Sequence, residues 1–467
     1  MNIKNLEFKK VEDFFIKQVK ANPNNPEANF NLARVYKEKE DYVKAKFFYE
    51  KTIKIQPRNF SAYNNLANIY KQLGKFSKAI KLYKKVISIN PAHSKAHHNL
   101  GNTYNQLGQF ASAKKEFKKA FQIEPLNLES LYILSDLDQK ILNSKLKKKI
   151  ESLMLSEKIL KKDIAYGNFL LAKYEYKKKN LKKELEYLLI GHKNYYEEKK
   201  VFFEGAINYW LKYLPNIKEL TELDVPEIKS KINPIFIIGV PRCGSTVVEK
   251  VIASGKKSLP IGEECGVISA TTGELIINEK SLKLNLNNLK NEINEKYKKL
   301  NLINSESNNV FTDKTLENFF FLPLIKKIYP EAKIINCKRD PLSNIVSILK
   351  NNLSEVPWAH HLDNIFTYLD IYYKKIDFYK IKYPNFIYDL NIENFQNSPE
   401  KEAKKLIKFC GLSWDKKCLK FYKKANLVSF TSSHRQIRKS IHKASVDRQL
   451  PYRNLLYKYG KKYDWFK

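Results

Sequence analysis

Apolar positions in the first third of the chain recur at one interval. Pro23, Pro57, Pro91 and Pro125 lie 34 residues apart, as do Leu32, Leu66 and Leu100, and Tyr36, Tyr70 and Tyr104. Ala45, Ala79 and Ala113 keep the same spacing, followed by Tyr49, Tyr83 and Phe117. The pattern predicts a pair of antiparallel helices per interval, neither able to bury its apolar face alone. Alanine lets helices approach closely, the aromatic rings fill the gap between successive pairs, and proline ends the second helix. Three intervals are clear, at 26–59, 60–93 and 94–127. Residues 128–161 stay helical without the small-residue pattern. A fifth unit returns at "AYGNFLLAKYEYKKKNLKKELEYLLIGHKNYYE", where Leu171, Ala172, Tyr174 and Tyr176 precede a lysine-rich turn. The helical domain is therefore expected over 1–214, degenerate beyond 127 and extending to about 200.

A 34-residue helical interval with these residues is the tetratricopeptide (TPR) signature. Such arrays commonly present a concave face to a peptide or protein; packing on a neighbouring domain is the alternative. From about 215 the pattern changes. Residues 215–233 read as a linker, and 234–467 as a second domain. Ile235–Val240 is a fully apolar run, Lys333–Cys337 a second buried strand, and "PNFIYDLNIENF" a third. Helical stretches lie between and after them, at Thr246–Ala253, Asn318–Ile328, Leu342–Asn352, His361–Lys382 and Pro399–Cys410. Strands alternating with helices predict a parallel sheet covered on both faces.

The first strand runs into Gly239-Val240-Pro241-Arg242-Cys243-Gly244-Ser245-Thr246, then into a helix. A glycine-rich turn there gathers backbone N–H groups and a helix dipole around a phosphate. The string nearly matches the nucleotide P-loop, but Ser245 stands where that loop has its lysine. No carboxylate suited to Mg²⁺ follows the later strands; the second ends in Lys338-Arg339-Asp340-Pro341. These features favour an anion over a metal–nucleotide complex. The predicted fold class is thus α plus α/β: a helical TPR solenoid followed by a P-loop-like, three-layer α/β domain with a central parallel sheet.

Composition narrows the picture little. Lys plus Arg minus Asp plus Glu is 85 − 49 = +36, but lysine is abundant everywhere, so the charge alone points to no nucleic-acid partner. Five scattered cysteines, Cys243, Cys265, Cys337, Cys410 and Cys418, form no C-x-x-C pair and suit a reducing compartment. The N-terminus lacks a signal-peptide core, and no apolar run is long enough for a membrane helix. A cytoplasmic protein with no metal requirement is the expectation.

The second domain resembles the sulfotransferases that use 3′-phosphoadenosine 5′-phosphosulfate (PAPS). "GVPRCGST" looks like their 5′-phosphosulfate loop, and "INCKRDPLSNIVSIL" is similar to their 3′-phosphate segment, with Arg339 and Ser347 eight residues apart. "DKTLENFF" keeps the family's Asp-Lys, here with Lys314. "SPEKEAKKLIKFCGLSWDKKCLKFY" resembles the closing helix and turn, and "FTSSHRQIRKSIHKASVDRQLPYR" the C-terminal donor-binding segment. The nearest likeness is to bacterial TPR-sulfotransferases and, more distantly, to tyrosylprotein sulfotransferases. The resemblance implies that Arg242, Cys243, Gly244, Ser245, Thr246 and Val247 cradle the donor, with Arg339, Ser347, Arg438 and Arg448 as further contacts. Arg242 and Lys314 would stabilise the transferring group, and Ser433 would match the family's transition-state serine. A Glu in "LPIGEECG" would be the general base: Glu263 has the family spacing from Arg242, and Glu264 is next in line. His360 or His361 is a rival base, against a reading as exposed loop histidines. Ile392 stands where the family has a donor-binding tyrosine, so either Tyr388 replaces it or that contact is absent. An arginine of the tyrosylprotein enzymes falls at Asn351. The implied reaction is sulfuryl transfer from PAPS to a hydroxyl of a protein tyrosine, carbohydrate or small molecule, with the TPR array binding a partner or the acceptor. A P-loop kinase or NTPase and a non-catalytic TPR scaffold are the alternatives.

Overall fold

The computed structural model describes residues 3–221, 223, 226–256, 258–277, 285–303, 309–423, 436–441 and 449–466. Contacts divide the chain into two compact units, 1–159 and 160–467.

The first unit opens with α1 (Ile3–Ala21) and continues as helix pairs: α2 (Pro26–Glu38) with α3 (Tyr42–Ile55), α4 (Phe60–Gln72) with α5 (Phe76–Ile89), and α6 (Ser94–Gln106) with α7 (Phe110–Ile123). Helices α8 (Leu128–Leu137) and α9 (Ser144–Met154) follow. The recurring small and aromatic residues do what their spacing implies. Ala45, Ala79, Ala113, Tyr49, Tyr83 and Phe117 are all fully buried. A second period, missed from sequence, sets the helix starts. The side chains of Asn25, Asn59, His93 and Asn127 each accept a hydrogen bond from the backbone N–H three residues on, capping α2, α4, α6 and α8.

The second unit begins with α10 (Lys161–Lys177), α11 (Leu181–Glu198), α12 (Lys200–Asn208) and the single turn α13 (Lys218–Thr221). Then come β1 (Ile235–Gly239), α14 (Ser245–Ile252), β2 (Ile261–Glu263), α15 (Val267–Ile277), α16 (Leu286–Lys299) and β3 (Thr312–Lys314). The chain continues through α17 (Leu322–Ile328), β4 (Lys333–Lys338), α18 (Pro341–Lys350), α19 (Leu362–Lys382), β5 (Ile387–Asn391), α20 (Ile392–Asn397), α21 (Pro399–Phe409) and α22 (Pro451–Gly460). The strands form one sheet in the order β2-β3-β1-β4-β5, and every pairing is parallel. β1 lies at its centre and is buried along its whole length. On one face Ile235 and Ile237 pack with Val248 and Val251 of α14 and Leu406 and Ile407 of α21. On the other, Phe236 meets the Tyr329 ring at 6.3 Å, and the Tyr372 hydroxyl of α19 donates to Asn336 of β4. Helices therefore cover both faces.

Two details depart from the sequence reading. Residues 318–328 are not one helix: a 3₁₀ segment, Leu316–Phe321, precedes α17, which Pro323 restarts at its first turn. The second concerns the helix pair read as a fifth repeat, α10 and α11. It packs within the second unit rather than the first. Glu184 of α11 takes the Tyr452 hydroxyl of α22 and the Lys350 ammonium of α18 at 3.1 Å. His192 of α11 donates through Nε2 to the Leu349 carbonyl.

Candidate functional site

Three parallel strands, β3, β1 and β4, end side by side, and their C-terminal ends with the following loops hold most of the residues singled out above. After β1 the chain turns in a left-handed conformation twice, at Arg242 (φ 73°) and at Gly244 (φ 91°), before α14 starts at Ser245. Gly244 suits that conformation because it has no Cβ, and a Cβ there would also lie 3.1 Å from the Ile392 side chain. Arg242 has no such freedom, so the left-handed backbone is held by its neighbours. The Arg339 guanidinium donates to the Arg242 carbonyl at 2.7 Å, and Asn344 donates to the Pro241 carbonyl at 3.0 Å. Arg242 Nε donates in turn to the Ser347 hydroxyl at 3.4 Å. Residues about one hundred positions apart, on β1's loop and on the β4–α18 turn, thus close one basic corner. Asp340 caps α18 by accepting from the Ser343 N–H at 2.7 Å. Glu393 accepts from the Asp340 N–H, and burial lowers the Arg339 pKa against the pull of Glu393.

Cys243, Ser245 and Thr246 are buried in the loop and first helical turn, while Val247 is half-buried. A hydrogen bond with Cys337 near the end of β4 lowers the Cys243 thiol pKa, against the effect of burial. Lys314 ends β3, only 1% exposed, and forms an ion pair with Glu264. Burial alone would lower its pKa; the carboxylates of Glu264, Glu249 and Glu263 outweigh that and leave it raised. The Asp beside it, Asp313, is fully buried and accepts from Tyr297, Asn318 and the Thr315 N–H, so it braces β3.

The two glutamates of "GEE" diverge. Glu263 ends β2 and is 3% exposed, paired at 3.1 Å with Lys250 of α14. Glu264 is 40% exposed and meets Lys314. Lys250 and its neighbour Glu249 were not singled out from sequence. They read there as ordinary polar positions of an amphipathic helix; only the fold turns them inward.

Arg438 lies in a short 3₁₀ turn, Gln436–Arg438, packed against α14, with Ile437 in the core. Ser433 and Arg448 lie outside the described residues. Ile392 is buried over Gly244, and Tyr388 stacks on Phe409 of α21 at 4.9 Å, in the core rather than at the loop. Asn351 ends α18 and donates to the Ser347 carbonyl. His360 is not an exposed loop histidine: it is 2% exposed, packed against the rings of Tyr195 and Phe203, and hydrogen-bonded to His192. His361 is exposed. Among the described residues, no group of three or more His, Cys, Asp or Glu is placed to hold a metal ion, and no helix is long and apolar enough to cross a membrane.

Residues 234–416 match the sulfotransferase family model. The second unit carries a sulfotransferase-family domain. Residues 26–59, 60–93 and 82–115 match tetratricopeptide repeat models, so the chain joins TPR repeats to that sulfotransferase domain. An uncharacterized protein of Aquifex aeolicus (strain VF5) is 26% identical over 343 residues, which cover 66% of this chain and 42% of that protein. The chain thus spans less than half the length of that relative. Solved TPR structures are also similar to part of the chain. The crystal structure of MamA is 17% identical over 43% of this chain and 98% of its own, with a TM-score of 0.27. YrrB, described as a TPR protein with an unusual peptide-binding site, is 16% identical over 38% of this chain and 91% of its own, with a TM-score of 0.30.

Proposed function

We propose that the sulfotransferase domain transfers a sulfuryl group from PAPS to an acceptor hydroxyl. The observation that carries this reading is the basic corner: Arg242, Arg339 and Ser347 linked by hydrogen bonds around a loop that opens a helix. A donor with phosphates at both the 5′ and 3′ positions of its ribose needs two anion sites. The loop and first turn of α14 suit the 5′ end, while Arg339 and Ser347 suit the 3′-phosphate. Arg438 and, outside the described residues, Arg448 and Ser433 would complete the donor side. Sulfuryl transfer, like phosphoryl transfer, rests on positioning and on stabilising charge. Arg242 and Lys314 would supply the cations, and a carboxylate of the Glu263-Glu264 pair would take the acceptor's proton.

The acceptor class and the role of the TPR array are proposals of the same kind. TPR repeats suit a peptide or protein, so a protein acceptor or partner is the natural reading.

The test is a binding comparison. Isothermal titration should show tight binding of 3′-phosphoadenosine 5′-phosphate and little binding of ATP with Mg²⁺, and Arg339→Ala should weaken the former by about tenfold or more. A preference for ATP with Mg²⁺ would sink the proposal in favour of a kinase or NTPase. Mass spectrometry of products formed from isotope-labelled PAPS in cell extract would then name the acceptor.

A further inference from the structure

The pair Glu263-Glu264 raises a choice that spacing cannot make. Glu263 ends β2 and Glu264 lies just beyond it, and the two carboxylates take different ion-pair partners, Lys250 and Lys314. In the structure the choice is made by a third residue. Lys250, in the second turn of α14, is itself buried and holds the Glu263 carboxylate at 3.1 Å. Its other acidic neighbour, Glu249, is farther, at 3.9 Å. Glu249 instead accepts from the Thr312 hydroxyl at 2.9 Å, and burial raises its pKa to about 7, so it competes weakly for the ammonium. Beyond Glu263 the strand breaks. Glu264 adopts a left-handed conformation (φ 52°), its N–H donates to the Lys314 carbonyl at 3.1 Å, and its carboxylate reaches the Lys314 ammonium while remaining open to solvent.

We propose that Lys250 is a positioning residue: by drawing Glu263 inward, it leaves Glu264 as the carboxylate that meets the acceptor. This rests on the sulfuryl-transfer reading for its chemistry, though not for its geometry. In the reaction, Glu264 takes the proton as the acceptor O–H bond breaks and the acceptor O–S bond forms. The S–O bond to the donor's 5′-phosphate breaks, and 3′-phosphoadenosine 5′-phosphate leaves with the electron pair. Lys314, ion-paired with Glu264 at the end of β3, faces the charge that develops during transfer. Glu263 makes no contact with the acceptor; its charge balances Lys250 inside the domain.

Two measurements on the full chain test this. In the first, a water-soluble carbodiimide and an amine label exposed carboxylates, and fragmentation mass spectrometry locates the label. Glu264 should be modified and Glu263 protected in the wild type, with Glu263 becoming modified in Lys250→Met. Labelling of Glu263 in the wild type overturns the proposal whatever the protein catalyses. In the second, turnover of PAPS is followed. Glu264→Gln should lower kcat by about 100-fold, and Glu263→Gln far less. Lys250→Met should lower kcat by about tenfold with affinity for 3′-phosphoadenosine 5′-phosphate unchanged, because Glu263 loses its 3.1 Å ion pair and shifts beside Glu264. Lys250→Arg should restore activity, and the double variant Lys250→Met/Glu263→Gln should be more active than Lys250→Met alone, since the Glu263 charge is then removed together with its Lys250 partner. A Glu263→Gln loss as large as that of Glu264→Gln overturns the proposal. So does a Lys250→Met protein that melts earlier yet keeps its kcat below its melting temperature. A wild type with the expected labelling but no turnover keeps the positional role and removes the sulfuryl-transfer reading.

Discussion

Arg242 concentrates several demands in one residue. Its backbone turns left-handed, its carbonyl receives Arg339, and its side chain reaches Ser347. Sequence motifs mark such a residue well, because the loop's glycine and its strand–helix setting are local. His360 shows the opposite case. From sequence it is one of two histidines before a helix; in the fold it is enclosed by aromatic rings and shares a hydrogen bond with His192. His192 Nε2 donates to the Leu349 carbonyl, so its Nδ1 accepts from His360. Burial pushes the imidazoles down to about 4 for His192 and about 2 for His360. Both values lie below the ordinary 6.5, so the folded protein binds fewer protons than the unfolded chain. Stability is then complete above pH 6.5 and falls as pH drops from there toward 4, by roughly 1.4 kcal/mol per pH unit for each imidazole. Chemical denaturation at pH 7, 6 and 5 should show this loss, and His360→Phe should reduce the slope. An unchanged slope in the variant would show that the pair is not the cause.

At the scale of elements, length decides what a sequence reveals. The five-residue β1 and six-residue β4 were legible as apolar runs. β2 and β3 have three residues each and carry Gly262, Asp313 and the charged Glu263 and Lys314, so no alternation or apolar run announces them. Yet these two strands set the carboxylates against Lys314, through the register Glu263 with Lys314. Gly262 is required there: a Cβ would lie 2.5 Å from the Thr312 carbonyl oxygen. Gly262→Ala should therefore push β2 off β3, cost about 1–3 kcal/mol of stability and lower turnover more than donor affinity, since the donor corner lies on β1 and β4. Denaturation and titration with 3′-phosphoadenosine 5′-phosphate separate the two effects; a variant that loses donor affinity first would contradict this placement. The TPR pairs were legible because their buried alanines and aromatics repeat. The caps at Asn25, Asn59, His93 and Asn127 share that period, and the asparagine-to-histidine change at one of them hid it.

At the scale of the whole molecule, packing regroups what the periodicity joins. Helices α10 and α11 resemble another repeat, but their buried polar groups find partners in the second unit. Glu184 bonds Lys350 and Tyr452, Lys350 lies 3.7 Å over the Tyr176 ring, and His192 meets His360. A fragment of residues 160–467 should accordingly fold with a cooperative thermal transition. A fragment of 215–467 should melt lower or aggregate, because Lys350, His360 and Tyr452 lose those partners. Equal melting temperatures for the two would refute this division. The sequence by itself determined what is periodic or local: the repeats, the long buried strands, and the glycine turn into a helix with its arginine. Those follow from residue spacing and backbone preference, which act over a few positions. Only the tertiary structure decided which glutamate faces Lys314, why Lys250 is buried, and to which unit α10 and α11 belong. Each of these depends on charges and faces brought together from distant parts of the chain, where burial makes pairing obligatory.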